Sequence, residues 1–569
     1  MNIFNDITTL NDLSNILKVP KRKLTYILYK VTPDSLYTSF EIPKKNGGIR
    51  HINAPNEDLK DIQKKLSLQL WSQQNFIWSQ NKIKPNISHA FIKEKSIITN
   101  AKIHRNKCYV LNMDLENFFD SFHFGRVRGF FEKNRYFLLP QNIATILAQL
   151  TCYNGCLPQG APTSPIITNL ICNILDMRLL NIAKKFKLDY TRYADDLTFS
   201  TNDKKFLYNL DEFKNEITEI IEHSGFMVNE KKTRLQFKNS RQEVTGLIVN
   251  KKINVNRDYY KKTRSMANNL YKNGEFEING EKATINQLEG RFSFINQIDW
   301  YNNLICKEKN KKIQLNFRNL NGREKQYQMF LFYKYFFKNS KPCIVPEGKT
   351  DIAYIKSALK NLYKLYPNLI KKKSDGTFDF KISFLRRTKR LEYFLNIQLD
   401  GADTMKNIYN FYCNNDNANY PFYSEKLRKL GAIPSNPVIF ILDNELNNAK
   451  KPLKNFTNHI KLENNVHKHS LFKTHNYVDI TYNLYLLTHQ LVKGYQECEI
   501  EDLFDNSTLN NKINGKTFER DTKIFNDKNH YGKAVFADYI SKNHKTIDFN
   551  NFRPLLDNLD KIVAYYPSP

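Results

Sequence analysis

Three aspartates at two places in the sequence have the surroundings expected of metal ligands. Asp114 ends the apolar run Tyr109–Asp114, which predicts a strand, and Asp195 and Asp196 lie at the tip of a hairpin predicted over Tyr190–Ser200. Adjacent acids between apolar flanks repel each other, so holding them together calls for a counter-charge. Two Mg²⁺ ions bridged by Asp114 and Asp195 would activate a hydroxyl and stabilise a leaving pyrophosphate, the chemistry of nucleotidyl transfer. An isolated Asp-Asp pair is more typical of a solvated turn.

A second set of acids lies late in the chain. Glu347 follows the strand-like run Cys343–Val345 where a helical pattern begins, and Asp443 ends the apolar run Val438–Leu442. Acids at the carboxyl ends of buried parallel strands lie where ligand chemistry is usual. Glu347 would act as general acid or base while Asp443 and Glu445 hold Mg²⁺ against a phosphodiester. The alternative is an ordinary helix N-terminus, where the helix dipole favours acids.

The elements that position these acids predict a mixed α/β chain with several domains. The 569 residues suffice for two to four domains with buried cores, and 41% hydrophobic content excludes a wholly disordered chain. Strand and helix patterns alternate up to about Cys306. The segment Lys307–Asn319 is polar and basic, and Asn321–Asn339 suits a bridging helix. A second α/β domain is predicted from Lys341 onward.

Charge and cysteine content indicate the partners and the compartment. Lys plus Arg number 87 against 57 Asp plus Glu, so a polyanion, most naturally nucleic acid, is the expected partner. The eight cysteines include no Cys-x-x-Cys, which argues against a zinc module or a disulfide framework and favours reduced thiols in the cytoplasm. No run of eighteen uncharged apolar residues and no export signal is evident, so we expect no membrane partner.

Five segments, in order, resemble the motifs of a reverse transcriptase. Tyr193–Asp196 matches the palm signature of that family, and Asp114 stands at its other metal-binding position. Leu157–Pro165 matches the motif that packs against template and incoming nucleotide. Gly225–Thr233 matches the segment that follows the palm signature, and Ile42–Arg50 matches the fingers element. The resemblance implies a right-hand fold of fingers, palm and thumb, with Mg²⁺ as cofactor and deoxynucleoside triphosphates as substrates.

The same resemblance implies which residues hold the nucleotide. Lys232 would face the triphosphate, Lys44 and Arg50 would hold phosphates, and Gln159 belongs to the nucleotide-binding motif. Phe119, five residues after Asp114, stands where an aromatic ring excludes a ribose 2′-hydroxyl, so deoxynucleotides would be preferred. The alternative for Phe119 is that it and its neighbour Phe118 are both core residues.

Two short strings resemble the retron group of reverse transcriptases. Asn100–His104 fits an Asn-Ala-x-x-His element and Val244–Gly246 fits a Val-Thr-Gly element. Taken without the family, His104 is an ordinary core or surface histidine, and Val244–Val249 is simply a strand with a small residue permitting close backbone approach. A retron enzyme is implied to use its own non-coding RNA as primer and template, starting from the 2′-hydroxyl of an internal guanosine. Its product is msDNA, a branched RNA-DNA hybrid.

A thumb that binds such an RNA would recognise its shape and phosphates. Downstream of the Val-Thr-Gly string, cations interleave with rings that could stack on bases, although such clusters are usually solvated helix faces. The predicted RNA-binding residues are Asn100, His104, Val244, Thr245, Gly246, Arg257, Tyr259, Tyr260, Lys261, Lys262 and Arg264.

The late acids resemble a Toprim domain, the metal-binding fold of topoisomerases, primases and OLD-type nucleases. That family places a Glu after its first strand and Asp-x-Asp after a later one, whereas the third acid here is Glu445, one methylene longer. The effector site would comprise Glu347, Gly348, Asp351, Asp443 and Glu445. The resemblance implies a Mg²⁺-dependent nuclease that acts on nucleic acid in anti-phage defence and is restrained by msDNA until infection. A catalytically silent scaffold for msDNA remains an alternative.

The sequence therefore predicts an α/β reverse transcriptase fused to an α/β Toprim-like domain. We expect residues 1–240 to form fingers and palm, 241–306 the thumb, 307–340 a linker with a bridging helix, and 341–569 the effector. The expected partners are the cognate retron RNA and its msDNA in the bacterial cytoplasm, and a homo-oligomer is also compatible with the sequence. A group II intron-like reverse transcriptase that makes no msDNA is the competing interpretation.

Overall fold

The computed structural model describes residues 4, 6–44, 47–83, 85–399, 401, 403–414, 417, 419–521 and 523–566. The chain divides into two compact units, Met1–Arg257 and Asp258–Pro569. Each unit contains both helices and strands, which confirms the mixed α/β class. The finer subdivision at residues 240, 306 and 340 stays a prediction.

The first unit is built around an antiparallel sheet. Its strands are β1 (Tyr37–Pro43), β2 (Ile49–Pro55), β3 (Tyr109–Glu116), β4 (Asp189–Tyr193), β5 (Asp196–Thr201), β6 (Met227–Val228), β7 (Arg234–Phe237), β8 (Glu243–Val244) and β9 (Leu247–Ile248). The main sheet has the order β4-β5-β3-β6, and β7 also pairs with β3. Strands β1 and β2 form a separate hairpin, as do β8 and β9. Because β3 is flanked on both edges, Asp114 is held in the middle of the sheet.

Helices cover this sheet and complete the core of the first unit. They are α1 (Leu10–Leu17), α2 (Lys21–Tyr26), α3 (Glu57–Gln80), α4 (Ile97–Ile103), α5 (Phe124–Lys133), α6 (Gln141–Thr151), α7 (Ser164–Lys185) and α8 (Leu210–His223). Among the described helices, α7 alone is long and apolar enough to cross a membrane, which the sequence analysis did not anticipate. Some 56% of its apolar stretch is buried within the protein, as is typical of a core helix.

The second unit contains a mostly parallel sheet. Its strands are β10 (Glu277–Ile278), β11 (Glu281–Lys282), β12 (Cys343–Pro346), β13 (Ile370–Lys372), β14 (Phe378–Phe380), β15 (Ser383–Phe384), β16 (Val438–Leu442), β17 (Tyr477–Thr481), β18 (Leu484–Thr488), β19 (Thr517–Phe518) and β20 (His530–Tyr531). The central order is β15-β12-β16-β18-β17, in which only β17 runs antiparallel. The carboxyl ends of β12, β16 and β18 therefore meet at one edge.

The helices of the second unit pack on both faces of this sheet. They are α9 (Arg257–Asn273), α10 (Ile285–Lys309), α11 (Gly322–Phe332), α12 (Lys349–Asn361), α13 (Lys389–Leu395), α14 (Asp403–Asn410), α15 (Tyr423–Lys429), α16 (Pro452–His459), α17 (Val466–His475), α18 (Asn506–Leu509), α19 (Lys533–Lys542) and α20 (Arg553–Tyr565). Every residue of β16 is buried, with Phe440 in one core cluster and Ile439 and Ile441 in the other. Such burial on both faces explains the uninterrupted apolar run in the sequence.

The predicted thumb and linker share a hydrophobic core with this sheet. Leu270 of α9, Phe292 of α10 and Phe330 of α11 belong to the same buried cluster as Val345 and Phe440. The segment from 307 to 340 therefore does not behave as an exposed tether. Its helix α11 begins at an Asn321 capping box, and five further residues, Tyr333–Phe337, continue it as a π-helix.

Candidate functional site

Strand β3 brings Asp114 against the tip of the β4–β5 hairpin. Asp114 is the cross-strand partner of Asp196, and the N–H of Leu115 donates to the carbonyl oxygen of Asp195 at 3.0 Å. Cross-strand partners in antiparallel sheets have Cα atoms about 4.5 to 5.5 Å apart. The three predicted metal ligands therefore lie in one place, and Asp114 is only 8% exposed.

The turn that carries Asp195 has a strained backbone. Ala194, the first residue of the two-residue loop, has a φ of 57°, in the left-handed region where glycine is usual. Arg192 supports the turn from beneath, since its guanidinium donates to the Ala194 carbonyl at 3.2 Å and to both carboxylate oxygens of Asp176 at 2.8 Å. Strain of this kind persists only where the surroundings over-determine it. A buried ion pair thus fixes the position of the acidic turn.

The three acids are crowded, and they differ in exposure: Asp114 is buried, Asp195 is half-buried and Asp196 is exposed. Burial first, and then the charges of Asp195 and Asp114, raise the pKa of Asp196 to about 7. Burial and the Asp114 charge also raise the pKa of Asp195. A divalent cation between these carboxylates would relieve the repulsion, so their charges favour the Mg²⁺ predicted from sequence.

Lys232 supplies the nearest positive charge in the structure. Its Nζ donates to both carboxylate oxygens of Asp114, at 2.9 and 3.0 Å. As arranged, no group of three or more His, Cys, Asp or Glu side chains in the described part of the chain is close enough to hold a metal ion. A cation on Asp114 would therefore have to compete with Lys232, which the sequence analysis assigned to the triphosphate.

The remaining predicted nucleotide-binding residues surround this centre. Lys44 and Arg50 are exposed at the ends of the β1–β2 hairpin, while Lys45 and Asn46 of the same motif lie outside the described residues. The carbonyl oxygen of Gln159 accepts from the Asn53 N–H at 2.8 Å, which docks the nucleotide-binding motif onto β2.

Gly160 shows why this docking needs a glycine. Its φ is 126°, and a Cβ atom would lie 2.7 Å from the Asn53 carbonyl oxygen.

The aromatic pair after Asp114 divides between the core and the site. Phe118 is buried, and its ring contacts those of Phe122 and Phe226. Phe119 is half-buried and packs edge-on against Phe118, with ring centroids 5.4 Å apart. Phe119 therefore packs against the core cluster and retains an accessible face.

Asn100 and His104 are fully buried behind the β4–β5 hairpin, which we call the palm hairpin. His104 places Nε2 2.7 Å from the Thr191 hydroxyl of β4 and Nδ1 2.8 Å from the Ser200 hydroxyl of β5, while Thr191 donates to Asn100 Oδ1. Burial and then the charge of Lys107 lower the pKa of His104 to about 3, so the ring is neutral. These side chains have no surface for RNA, and we correct their predicted role to supporting the hairpin.

The Val-Thr-Gly string forms a tight hairpin rather than one continuous strand. Thr245 and Gly246 both have positive φ, 46° and 79°, as the two central residues of a two-residue turn between β8 and β9 require. Val244 is fully buried, so its predicted RNA contact is also corrected. The Thr245 hydroxyl donates to the Ile97 carbonyl of α4 at 3.5 Å, which joins the two retron-like strings.

A cleft of about 430 Å³ opens beside Asp114 and Asp196, between the sheet and the β8–β9 turn. Its lining includes Asp114, Asp196, Lys232, Arg234, Thr245 and Gly246. The basic side chains of this cleft suit the phosphate backbone of a nucleic acid lying next to the three acids.

The predicted RNA-binding cluster lies on α9. Arg257, Lys261, Lys262 and Arg264 are exposed there. The two tyrosines of the cluster are half-buried beneath other cations: Arg291 lies 4.0 Å from the Tyr259 ring centroid, and Arg323 lies 5.8 Å from that of Tyr260.

The second set of acids meets at the carboxyl edge of the parallel sheet. Glu347 follows β12 and Asp443 follows β16, and the Asp443 N–H donates to Glu347 Oε2 at 3.4 Å. Asp351 turns back to accept from the Gly348 N–H at 2.7 Å, at the start of α12. Burial and the Asp443 charge raise the pKa of Glu347 to about 8 and that of Asp351 to about 6.

Glu445 is paired with a lysine and lies near the other acids. Its carboxylate accepts from Lys451 Nζ at 2.5 Å, and the charges of Asp443 and Glu499 act on it. The predicted partnership of Glu445 with Asp443 around one metal stays a prediction, and a cation there would have to compete with Lys451.

The structure adds three residues that the sequence analysis missed. Glu501 is fully buried near Asp443 and Asp351, and burial raises its pKa to about 7 against the charge of Lys533. Lys533 donates to Glu501 at 3.1 Å and is the neighbouring cation. His489, directly after β18, places Nε2 3.5 Å from Asp443 Oδ1. The strand-end pattern that identified Asp443 would have found His489, whereas Glu501 lies in an acidic run that resembles a solvated surface.

The family match covers the palm site. Residues 42–250 match the family model of the reverse transcriptase (RNA-dependent DNA polymerase). This segment contains Asp114, the Asp195–Asp196 turn and Lys232. This segment is therefore similar to reverse transcriptases, and the resemblance found in the sequence is confirmed for this part of the chain.

Individual relatives come from retrons. The Retron Ec86 reverse transcriptase of Escherichia coli is 36% identical over 202 residues, covering 35% of this chain and 59% of the relative. The Retron Mx162 reverse transcriptase of Myxococcus xanthus is 34% identical over 213 residues, covering 34% of this chain and 42% of the relative. The chain thus spans about half the length of the curated relatives it matches.

Among solved structures, an apo telomerase from Candida tropicalis truncated from its C-terminal domain matches with a TM-score of 0.28 and 15% identity. The match covers 39% of this chain and 55% of that chain. A score this low supports no conclusion about this fold.

Proposed function

We propose that the chain is an RNA-directed DNA polymerase whose reaction centre is formed by Asp114, Asp195 and Asp196. The observation that carries the proposal is the convergence of Asp114 on the strained, acidic turn within the segment that is similar to reverse transcriptases. When bound, paired Mg²⁺ ions would lower the pKa of the attacking hydroxyl and neutralise the leaving pyrophosphate. The three carboxylates would hold these ions.

Nearby side chains would bind and select the nucleotide. Lys232 would release Asp114 and bind the triphosphate, since its Nζ is already at the reaction centre. Lys44 and Arg50 would contact phosphates, and Gln159 would belong to the floor of the nucleotide site. The accessible face of Phe119 would close the pocket against a 2′-hydroxyl, so deoxynucleotides would be incorporated.

The experiment removes the paired acids. Asp195→Asn together with Asp196→Asn should reduce cDNA synthesis at least about 1000-fold, because several kcal/mol of charge stabilisation is lost and each 1.36 kcal/mol is tenfold. Glu57→Gln with Asp58→Asn, an exposed acid pair on α3, is the matched control and should retain synthesis. Synthesis by the first variant at the rate of the control would refute the proposal.

The template and primer would be a cognate retron RNA, and the product msDNA. The similarity to several retron enzymes and the contact between α4 and the β8–β9 hairpin support this choice. Priming would start from an internal guanosine 2′-hydroxyl in the bacterial cytoplasm. Sequencing the nucleic acid that co-purifies with the chain tests this: branched RNA-DNA is expected, and unbranched cDNA would favour a group II intron-like enzyme.

For the second unit we propose a Toprim-like, Mg²⁺-dependent nuclease that acts in anti-phage defence. The support is that Glu347 and Asp443 follow adjacent parallel strands and lie within hydrogen-bonding reach of each other. Glu347 would move a proton at the scissile phosphate, while Asp443 would hold the cation. Bound msDNA would restrain this unit until infection.

Glu347→Gln tests the effector. The substitution should abolish divalent-cation-dependent cleavage of nucleic acid and toxicity on expression, whereas Asp538→Asn, an exposed acid of the same unit, should preserve both. Undiminished cleavage by Glu347→Gln would exclude Glu347 from catalysis. Binding of msDNA with no cleavage by the unsubstituted chain would instead favour a silent scaffold.

A further inference from the structure

His489 has a buried nitrogen atom without a partner. The side chain is fully buried at the end of β18, and Nε2 has no hydrogen-bond partner among the residues that the structure describes. The opposite nitrogen, Nδ1, lies 3.0 Å from the Gln490 carbonyl oxygen. A carbonyl oxygen only accepts, so Nδ1 carries a proton and Nε2 is the ring nitrogen that faces the acids.

Nε2 of His489 faces the Asp443 carboxylate. Nε2 lies 3.5 Å from Asp443 Oδ1, which already accepts from the Ile500 N–H at 2.9 Å. The separation is longer than the 2.7 to 2.9 Å typical of a charged N–H···O hydrogen bond. It is close to the roughly 3.0 to 3.4 Å expected between a nitrogen and an oxygen that each bind one metal ion at about 2.1 Å. The gap is therefore of a size that a cation fills.

We propose that His489 is a direct ligand of the divalent cation in the second unit, together with Asp443. The proposal rests on the function proposed above for this acid cluster and adds a nitrogen donor to it. Mg²⁺ and Mn²⁺ prefer oxygen ligands, whereas imidazole suits transition metals such as Zn²⁺ and Fe²⁺. A nitrogen donor would therefore distinguish the second site from the all-carboxylate palm site, and Mn²⁺ is the paramagnetic probe that detects it.

Pulsed electron paramagnetic resonance of bound Mn²⁺ tests this on the full chain. The Asp195→Asn/Asp196→Asn background removes the palm site, so the Mn²⁺ signal reports the second unit. Bound Mn²⁺ should show modulation from a directly coordinated ¹⁴N nucleus, and labelling the histidines with ¹⁵N should change its frequency. His489→Gln should abolish the modulation and weaken Mn²⁺ binding about tenfold or more. His467→Gln, at an exposed histidine, should do neither.

The outcomes separate this inference from the proposed function. Mn²⁺ binding that Asp443→Asn abolishes, but that shows no nitrogen modulation, would refute the His489 ligand and leave Asp443 as a metal ligand. Absence of Mn²⁺ binding in the background protein would refute both. If His489→Gln fails to fold by circular dichroism, the ¹⁴N and ¹⁵N spectra of the background protein still decide the question.

Discussion

The palm site and the second site both bring carboxylates together at the edges of β-strands and turns, but they assemble them differently. In the palm, two acids are adjacent on one turn and the third lies on the neighbouring antiparallel strand. In the second unit, Glu347 and Asp443 follow separate parallel strands, and Glu501 comes from a later loop. The palm therefore has a compact sequence signature, whereas the second site depends on the packing of a whole sheet.

The two sites also use buried histidines in opposite ways. His104 bonds to hydroxyl groups behind the palm hairpin and has a pKa lowered to about 3, chiefly by burial. Burial also opposes charge on His489, but the nearby Asp443 carboxylate outweighs it and raises the pKa. One histidine is structural, and the other faces the acids, which teaches that burial alone does not define a histidine's role.

Single substitutions of one acid in each site should separate the two activities most strongly. Asp114→Asn should lower cDNA synthesis at least about 1000-fold and leave nucleic-acid cleavage unchanged, since the lost charge stabilisation is worth several kcal/mol. Asp443→Asn should have the reverse pattern. Primer-extension and cleavage assays on the same preparations measure both, and loss of both activities in either variant would contradict two independent centres.

The ion pair beneath the palm turn should dominate the stability of the first unit. Asp176→Ala leaves Arg192 charged and buried, so we expect a loss of about 3 to 5 kcal/mol in the free energy of unfolding. Asp58→Ala, which breaks the exposed pair with Lys23, should cost about 1 kcal/mol or less. Denaturant unfolding followed by circular dichroism compares them, and equal losses would show that Arg192 is not tied to Asp176.

His104 should make the first unit sensitive to acid. Its folded pKa of about 3 lies below the unfolded value of about 6.5, so the unfolded state binds the proton first. The stability is fully present above pH 6.5 and is lost, at about 1.4 kcal/mol per pH unit, as the pH falls toward 3. His104→Gln should flatten this slope, whereas His223→Gln, at an exposed site, should not. Identical slopes in both variants would contradict a neutral buried ring.

The smallest effect concerns the strained turn. Ala194→Gly relieves a left-handed alanine but adds backbone freedom to the unfolded chain, and both terms are about 1 kcal/mol. We expect a net change within about 0.5 kcal/mol in the free energy of unfolding. A gain above 1.5 kcal/mol would mean that the strain is larger than this comparison assumes.

The sequence predicted local features better than distant ones. The strand carrying Asp114, the Asp195–Asp196 hairpin and the apolar strand before Asp443 follow from periodicity and turn chemistry, and the structure contains all three, although the first strand continues past Asp114 to Glu116. The sequence did not predict the ion pair between Glu445 and Lys451, because that pairing depends on how a later loop folds back. Val244–Val249 could not be distinguished from one strand, since only Gly246 signals the turn.

The shared core of α9, α10, α11 and the parallel sheet limits how such a chain can be recombined. A gene fusion joined between α10 and α11 would separate Phe292 from Phe330, whose rings lie 5.0 Å apart in that core. Each fragment would present a large apolar surface to water and would tend to aggregate. A different second unit could therefore be exchanged more readily as a cassette that begins near residue 258 and brings its own copies of these helices.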